Sequence, residues 1–315
     1  MKRILVTGAA GQIGSELTMA LRHRYGNDQV IACGHKTKPT APLVDTGPFE
    51  YLDVRNFSVL ENIVKKYKVD TIYHLGGILS AAAESNPQLA WDVNMNGLYN
   101  VLEVSRTSQC AVFFPSSIGA FGPSTPHDNT PQETIQRPRS IYGISKVSGE
   151  LLCDYYFHKY GVDTRGLRFP GLISYETMPG GGSTDYAVEI FYAAIKHQPY
   201  CCFLKKGTRL DMMYMKDAVR AAITLMETKP ANLTTRNAFN ITAMSFAPED
   251  IFAEIKKSIP DFTMTYAVDP VRQAIADSWP NFMDDSEARK QWGWQSKYDL
   301  PSMTGEMLEK LSERL

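Results

Sequence analysis

Tyr142 and Lys146 stand four residues apart in Tyr142-Gly143-Ile144-Ser145-Lys146, a spacing that puts a phenol and an ammonium on one face of a helix. A phenol ionises near pH 10, and an adjacent cation favours the phenolate. A drop of about two or three pH units would let Tyr142 accept a proton near neutrality. Pro115-Ser116-Ser117 ends an apolar run that reads as a strand. A hydroxyl there meets ligands in the cleft beyond the sheet, so Ser117 could hold the oxygen that Tyr142 deprotonates. The third group is Gly8-Ala9-Ala10-Gly11-Gln12-Ile13-Gly14, three glycines between a strand and a helix. Glycines at this spacing let the chain turn tightly against a pyrophosphate, with the N–H groups near Gln12 and Ile13 and the helix dipole facing its charge. Each feature alone is common in folded proteins. Their combination in this order is not.

The elements that would position these residues alternate along the chain. Apolar runs at 4–7, 30–33, 71–75, 111–114 and 162–167, with a shorter one near 51–52, read as strands. Helical spacing of apolar residues recurs at 13–21, 59–67, 88–106 and 140–160, and later at 219–226 and 251–259. This alternation predicts an α/β fold, a doubly wound parallel sheet with helices on both faces. Residues 1–170 would form the dinucleotide-binding domain, with some later segments returning to it. Residues 171–315 would mainly form a smaller mixed α/β substrate domain. Proline and glycine cluster at 37–48, 122–138 and 178–182, which therefore read as long loops.

With 315 residues and a net charge of -1, the chain offers no electrostatic case for nucleic acid or an anionic membrane. A small molecule is the expected partner. The five cysteines form no C-x-x-C pair and no cluster with histidine, so reduced thiols and no metal are expected. The apolar run at 4–6 is too short for a signal core, and no stretch reaches the roughly 18 to 20 apolar residues of a spanning helix. A cytoplasmic location follows as the default expectation.

In order, spacing and length the motifs resemble the extended short-chain dehydrogenase/reductase family. Matching pieces include Leu52-Asp53-Val54, His74-Leu75-Gly76-Gly77 and Asn94-Met95-Asn96-Gly97. The resemblance implies a Rossmann fold in which Ser117, Tyr142 and Lys146 are catalytic, Lys146 lowering the pKa of Tyr142 and touching the nicotinamide ribose. It also implies that Asp53 and Val54 lie beside the adenine, and that Leu75, Gly76, Gly77, Asn94 and Pro170 line the cofactor. His74, at a strand end, reads instead as a packed structural histidine.

Within that family, Arg168-Phe169-Pro170-Gly171-Leu172-Ile173-Ser174, Met212-Met213-Tyr214-Met215, Ser278-Trp279-Pro280 and, most specifically, Pro179-Gly180-Gly181-Gly182-Ser183-Thr184-Asp185-Tyr186 resemble the short-chain L-threonine 3-dehydrogenases. That subgroup implies oxidation of L-threonine at C3 with NAD, giving 2-amino-3-oxobutanoate, and a homodimer paired through the helices at 88–106 and 140–160. An amino-acid zwitterion needs hydroxyls and backbone donors for its carboxylate, which Ser80, Thr184 and the backbone of Gly180 and Gly181 could supply. Trp279 either covers the pocket or packs the small domain. Two rival readings remain, a nucleotide-sugar epimerase or dehydratase of the same fold and a non-catalytic cofactor-binding protein. Epimerases usually carry asparagine where this chain has Gly171 and arginine where it has Leu210. The acid that commonly selects NAD after the second strand is missing, replaced by Gly34-His35-Lys36. The subgroup resemblance still implies NAD over NADP.

Overall fold

The computed structural model describes residues 1–178, 180 and 182–315. The first half alternates strand and helix: β1 (Ile4–Thr7), α1 (Gln12–Tyr25), β2 (Val30–Gly34), α2 (Ala41–Asp45), β3 (Phe49–Tyr51), α3 (Phe57–Tyr67), β4 (Thr71–His74), α4 (Ser80–Ser85), α5 (Pro87–Trp91), α6 (Gly97–Ser108), β5 (Ala111–Ser117), α7 (Ile141–Tyr160) and β6 (Thr164–Phe169). The second half carries β7 (Gly171–Ile173), α8 (Tyr186–Ile195), β8 (Tyr200–Cys202), β9 (Leu210–Tyr214), α9 (Met215–Glu227), β10 (Phe239–Asn240), β11 (Met244–Phe246), α10 (Pro248–Ser258), β12 (Met264–Tyr266), α11 (Pro270–Ala276), α12 (Ser286–Trp292) and α13 (Leu300–Ser312).

Seven strands form one parallel sheet in the order β10-β6-β5-β4-β1-β2-β3. Both faces are covered, which is why β1, β2 and β4 are buried at every residue. Side chains alternate across the sheet. Ile4 and Val6 pack in a core with Leu17 and Leu21 of α1 and Ala218 and Ala222 of α9. Leu5 faces the other way, towards Leu60 of α3 and Leu98 and Leu102 of α6. The strand order reverses between β1 and β4, so the carboxyl ends of these two strands open a crevice there.

The later residues build a three-stranded sheet, β11-β9-β7, and a parallel pair, β12-β8. Their core joins Phe191 of α8, Ile251 of α10 and Met307 of α13. Two later elements lie in the large sheet's layers: β10 pairs with β6, and α9 packs on α1 and β6. Two local expectations change. The helix expected at 88–106 is α5 and α6 joined by a π turn over Asp92–Asn96, and the loop expected at 37–48 contains α2.

Arg22, on α1, is almost fully buried and closes the passage from β2 to β3. Its guanidinium donates to the carbonyls of Leu43 and Pro48 at 2.8 Å and to the Thr46 hydroxyl at 3.0 Å. Replacing it leaves the buried Leu43 carbonyl and the half-buried Pro48 carbonyl without their donor. Arg22→Leu is therefore expected to lower stability by about 2 to 4 kcal/mol. A shift of the urea unfolding midpoint checks this; an unchanged midpoint would mean that water reaches the carbonyls freely.

Candidate active site

The crevice is shaped first by backbone contact. Gly8 leaves β1 with φ at +68°, a left-handed conformation suited to glycine, and a side chain there would lie 2.7 Å from the backbone nitrogen of Gly76. A side chain at Gly14 would lie 2.8 Å from the Ala9 Cα and would collide with the Gly8 carbonyl. The turn is held by Ala9 N–H donating to the Cys33 carbonyl at 2.8 Å and Gly11 N–H to the Gly8 carbonyl at 3.0 Å. Gly11 caps α1 without any side-chain hydrogen bond, so the first-turn N–H groups around Gln12 and Ile13 stay available at the positive end of the helix. A cradle that any Cβ would fill, under free N–H donors, fits the diphosphate of a dinucleotide.

The loop after β4 forms the floor. The Thr7 hydroxyl lies 2.9 Å from Nδ1 of His74 and accepts from Gly76 N–H at 3.1 Å. Burial, with Lys146 adding to it, holds His74 down at about 3, so it is neutral. Asn94 sits in the π turn, a distortion common at functional sites. Its amide accepts from Ile78 N–H at 2.8 Å and donates to the Ile78 carbonyl at 3.1 Å and the Ser145 hydroxyl at 3.3 Å. Asn94 thereby clasps the Leu75, Gly76 and Gly77 loop to α7.

Ser117 is the last residue of β5, and its hydroxyl accepts from Gly119 N–H at 3.1 Å. Ser140 caps α7 by accepting from Gly143 N–H at 3.0 Å, which sets Tyr142 in the first turn. A side chain on Gly119 would lie 3.1 Å from the Tyr142 ring, so the two segments abut. The expectation that Lys146 lowers Tyr142 is not met by the geometry. Burial pushes Tyr142 above its usual 10, and only the Ser117 hydroxyl opposes this. The Lys146 ammonium instead donates to the Pro115 carbonyl at 2.6 Å and lies 5.3 Å from the centre of the Tyr142 ring. Burial lowers Lys146 to about 8, against the opposing charge of Glu150.

Other expected residues divide into those that reach the cleft and those that do not. Pro170, Ser80, Gly180, Thr184 and Trp279 line it with the glycine cradle, Ser117, Tyr142 and Lys146. Among the described residues, no protein group hydrogen-bonds the hydroxyls of Ser80 and Thr184 or the indole N–H of Trp279. Gly181 lies outside the described residues. Asp53 and Val54 are not in the cleft wall. Arg55 grips the Asp53 carboxylate at 2.6 Å and holds it at about 2, and His35 stands 3.5 Å away. Val54 packs between Gly76 and Gly97, whose added side chains would approach it to 3.3 and 2.7 Å.

Sequence reasoning missed two features. Asp185 lines the cleft and accepts from Gly182 N–H at 2.5 Å. Beneath Ser117, buried Glu150 accepts from the Ser116 hydroxyl, from the Gln136 amide at 3.0 Å and from Arg168 at 2.8 Å. Glu150 follows Lys146 by four residues, as Lys146 follows Tyr142, and that repeated spacing was the available signal.

A parallel sheet with a glycine cradle at its switch point and a serine, tyrosine and lysine beside it defines an extended short-chain dehydrogenase/reductase. The chain belongs to the NAD dependent epimerase/dehydratase family, whose model matches residues 4–242. It is similar to the L-threonine dehydrogenase of Clostridium difficile, with 58% identity and a TM-score of 0.98 over 100% of this chain and 98% of that one. It is also similar to the holo form of an L-threonine dehydrogenase from Cupriavidus necator, with 47% identity and a TM-score of 0.95 over 98% and 99%. A curated relative, an uncharacterized epimerase/dehydratase of Staphylococcus haemolyticus, is 55% identical over 100% of this chain and 99% of its own length. Among the described residues no helix is long and apolar enough to cross a membrane.

One titrating group ties the cofactor helix to the substrate side. Glu16 of α1 accepts a hydrogen bond from the buried Ser174 hydroxyl, in the segment leading to Thr184. Burial raises Glu16 from 4.5 to about 7; Ser174 opposes the shift, Glu176 adds to it, and Lys216 and Arg314 oppose it. Because the folded value is raised, the stability from this group is complete below about pH 4.5 and is lost as pH rises through 7. Glu16→Gln cannot ionise. Its melting temperature relative to the parent is expected to increase between about pH 5 and 8.5, by the equivalent of up to about 3 kcal/mol. A difference that stays constant with pH would remove Glu16 as the titrating group.

Proposed function

We propose that the chain oxidises L-threonine at C3 to 2-amino-3-oxobutanoate with NAD. The observation that carries this reading is the set of donors without partners among the described residues, Ser80, Thr184 and Trp279, lining the same cleft as Ser117 and Tyr142. Such donors suit a small anion. Asp185, the one carboxylate among the described cleft residues, gives an ammonium its counter-charge. The named threonine dehydrogenases to which the chain is similar support the same substrate.

NAD, when bound, supplies the acceptor for the hydride that leaves C3. The chain's residues do the rest. Gly8, Gly11 and Gly14 bring the backbone against the diphosphate, and the Asn94 clasp fixes the wall between cofactor and α7. Ser117 holds the C3 hydroxyl. Tyr142 takes its proton as the carbonyl forms, the Ser117 hydroxyl being the group that opposes the effect of burial on the phenol, while Lys146, cationic below about pH 8, is anchored on the Pro115 carbonyl beside it. The neutral His74 leaves Lys146 as the cation of this floor.

Incubation with NAD and a panel of 3-hydroxy amino acids and UDP-sugars is expected to reduce cofactor with L-threonine and not with the sugars; the opposite pattern would reject the assignment. Tyr142→Phe keeps the ring and removes the acceptor. Its kcat should fall on the order of 100-fold or more with cofactor affinity retained. Near-normal turnover in a folded variant would exclude Tyr142 as the base.

Cofactor choice is a separate expectation. A side chain at Gly34 would lie 2.9 Å from the tip of the Phe49 ring, which would have to shift to admit one. Gly34→Asp therefore needs a check of folding before it is used to probe ribose recognition. His35 and Lys36 are exposed. Arginine, the planar fork that grips phosphate in pairs of hydrogen bonds, is absent from 34–36. The expected kcat/KM for threonine is higher with NAD than with NADP, and equal values or the reverse order would overturn it.

A further inference from the structure

We propose that Gly171 is the position that sets substrate recognition in the cleft: by carrying no side chain it seats the methyl of Thr184 and so aims the Thr184 hydroxyl at a small anionic group of the substrate. This rests on the threonine-oxidising reading above.

Gly171 opens β7 and stands opposite Met212 in the register of β7 and β9. It is buried, and its φ is not in the left-handed region, so conformation is not the reason for glycine. Space is the reason. A Cβ on Gly171 would lie 2.7 Å from Thr184 Cγ2 and 3.0 Å from Met212 Cε, and would collide with Met212 Sδ. The thioether ends a flexible side chain and can give way. Thr184 cannot. Its β-branched side chain is stiff at χ1, and its carbonyl accepts from Ala187 N–H at 3.1 Å in the first turn of α8. That helix is rooted in the core through Tyr186, Ala187 and Ile190.

The methyl and hydroxyl of Thr184 share one Cβ, so seating the methyl on Gly171 fixes where the hydroxyl points. Gly171 and Thr184 both line the cleft. Among the described residues the hydroxyl has no protein acceptor or donor, which leaves it for the ligand. A methyl at position 171 would turn or displace Thr184 without touching the glycine cradle, Ser117 or Tyr142. Gly171 is thus a positioning residue that acts through Thr184.

The test is a cycle of Gly171→Ala, Thr184→Ser and the double variant. Thr184→Ser deletes the colliding Cγ2 and keeps the hydroxyl. Gly171→Ala is expected to raise KM for threonine roughly 10-fold or more, the loss of one hydrogen bond to a charged group, with NADH affinity retained. The double variant should have a lower KM than Gly171→Ala alone. Melting temperatures give a readout that needs no substrate: Gly171→Ala should melt lower, and adding Thr184→Ser should restore part of the loss. An unchanged KM in Gly171→Ala, a double variant no better than Gly171→Ala in KM and melting, or an equal loss of NADH binding would each overturn the proposal. If the parent protein reduces no NAD with any 3-hydroxy amino acid, the functional reading fails and the substrate-aiming claim fails with it, while the melting cycle still decides the packing. If the parent is active and the cycle is additive, this proposal fails alone.

Discussion

The backbone of Gly8 passes so close to the backbone of Gly76 that no side chain fits between them, and the cleft depends on that approach. It requires β1 and β4 to be neighbours, with the register that pairs Thr7 with His74. The Thr7 hydroxyl then lies between the ring of His74 and the N–H of Gly76, so the last residue of one strand organises the loop after the next. Glycine at 8 and 14 is therefore a packing requirement of the backbone as much as a provision for ligand.

A second constraint is electrostatic. Lys146 is buried where an isolated ammonium would readily lose its proton, and burial brings it to about 8. Glu150, one helical turn onward, opposes that loss. The carboxylate is itself held by Arg168, Gln136 and Ser116, and Arg168 reaches further to the Gln132 carbonyl and the Asn240 side chain. Asn240 in turn donates to the Thr130 carbonyl, and Thr130 bridges to Met283 in the segment that carries Trp279. Charge balance beneath the reaction centre and placement of the far wall are thus one hydrogen-bonded structure. A buried ion pair alone is weak support for stability; this one also fixes the relative position of β5, β6 and α7.

The cofactor side was legible in the sequence because its signals are local. Apolar runs of strand length, the glycine spacing and the Tyr142–Lys146 step each occupy a few consecutive residues, and the sheet follows from their alternation. The rest needed contacts that sequence does not pair. Glu150 and Arg168 lie eighteen residues apart and meet only once β6 is in place beside β5. The pairing of Asp53 with Arg55, two residues on, likewise has no mark in the sequence. Helix α2 is a single short turn around Pro42 in a stretch whose composition reads as loop, and α8 is apolar on nearly every side, so it shows no helical period. The π turn at Asp92–Asn96 left no compositional mark, yet it aims Asn94 at Ile78.

The two halves of the site are therefore held by different physics. The cofactor side is set by backbone proximity, which tolerates no side chain at a few glycines and is indifferent to most other identities. The opposite wall is set by side chains on irregular segments, Ser80 at the start of a short helix, Thr184 in the turn before α8 and Trp279 just after α11. Their directions come from what they rest on, not from a repeating pattern. Gly171 belongs to both halves, since it begins the strand that follows Pro170 at the cofactor wall and is the surface on which Thr184 rests. A junction of this kind couples the two walls, because whatever stands at position 171 is felt by Thr184 on one side and follows directly from Pro170 on the other.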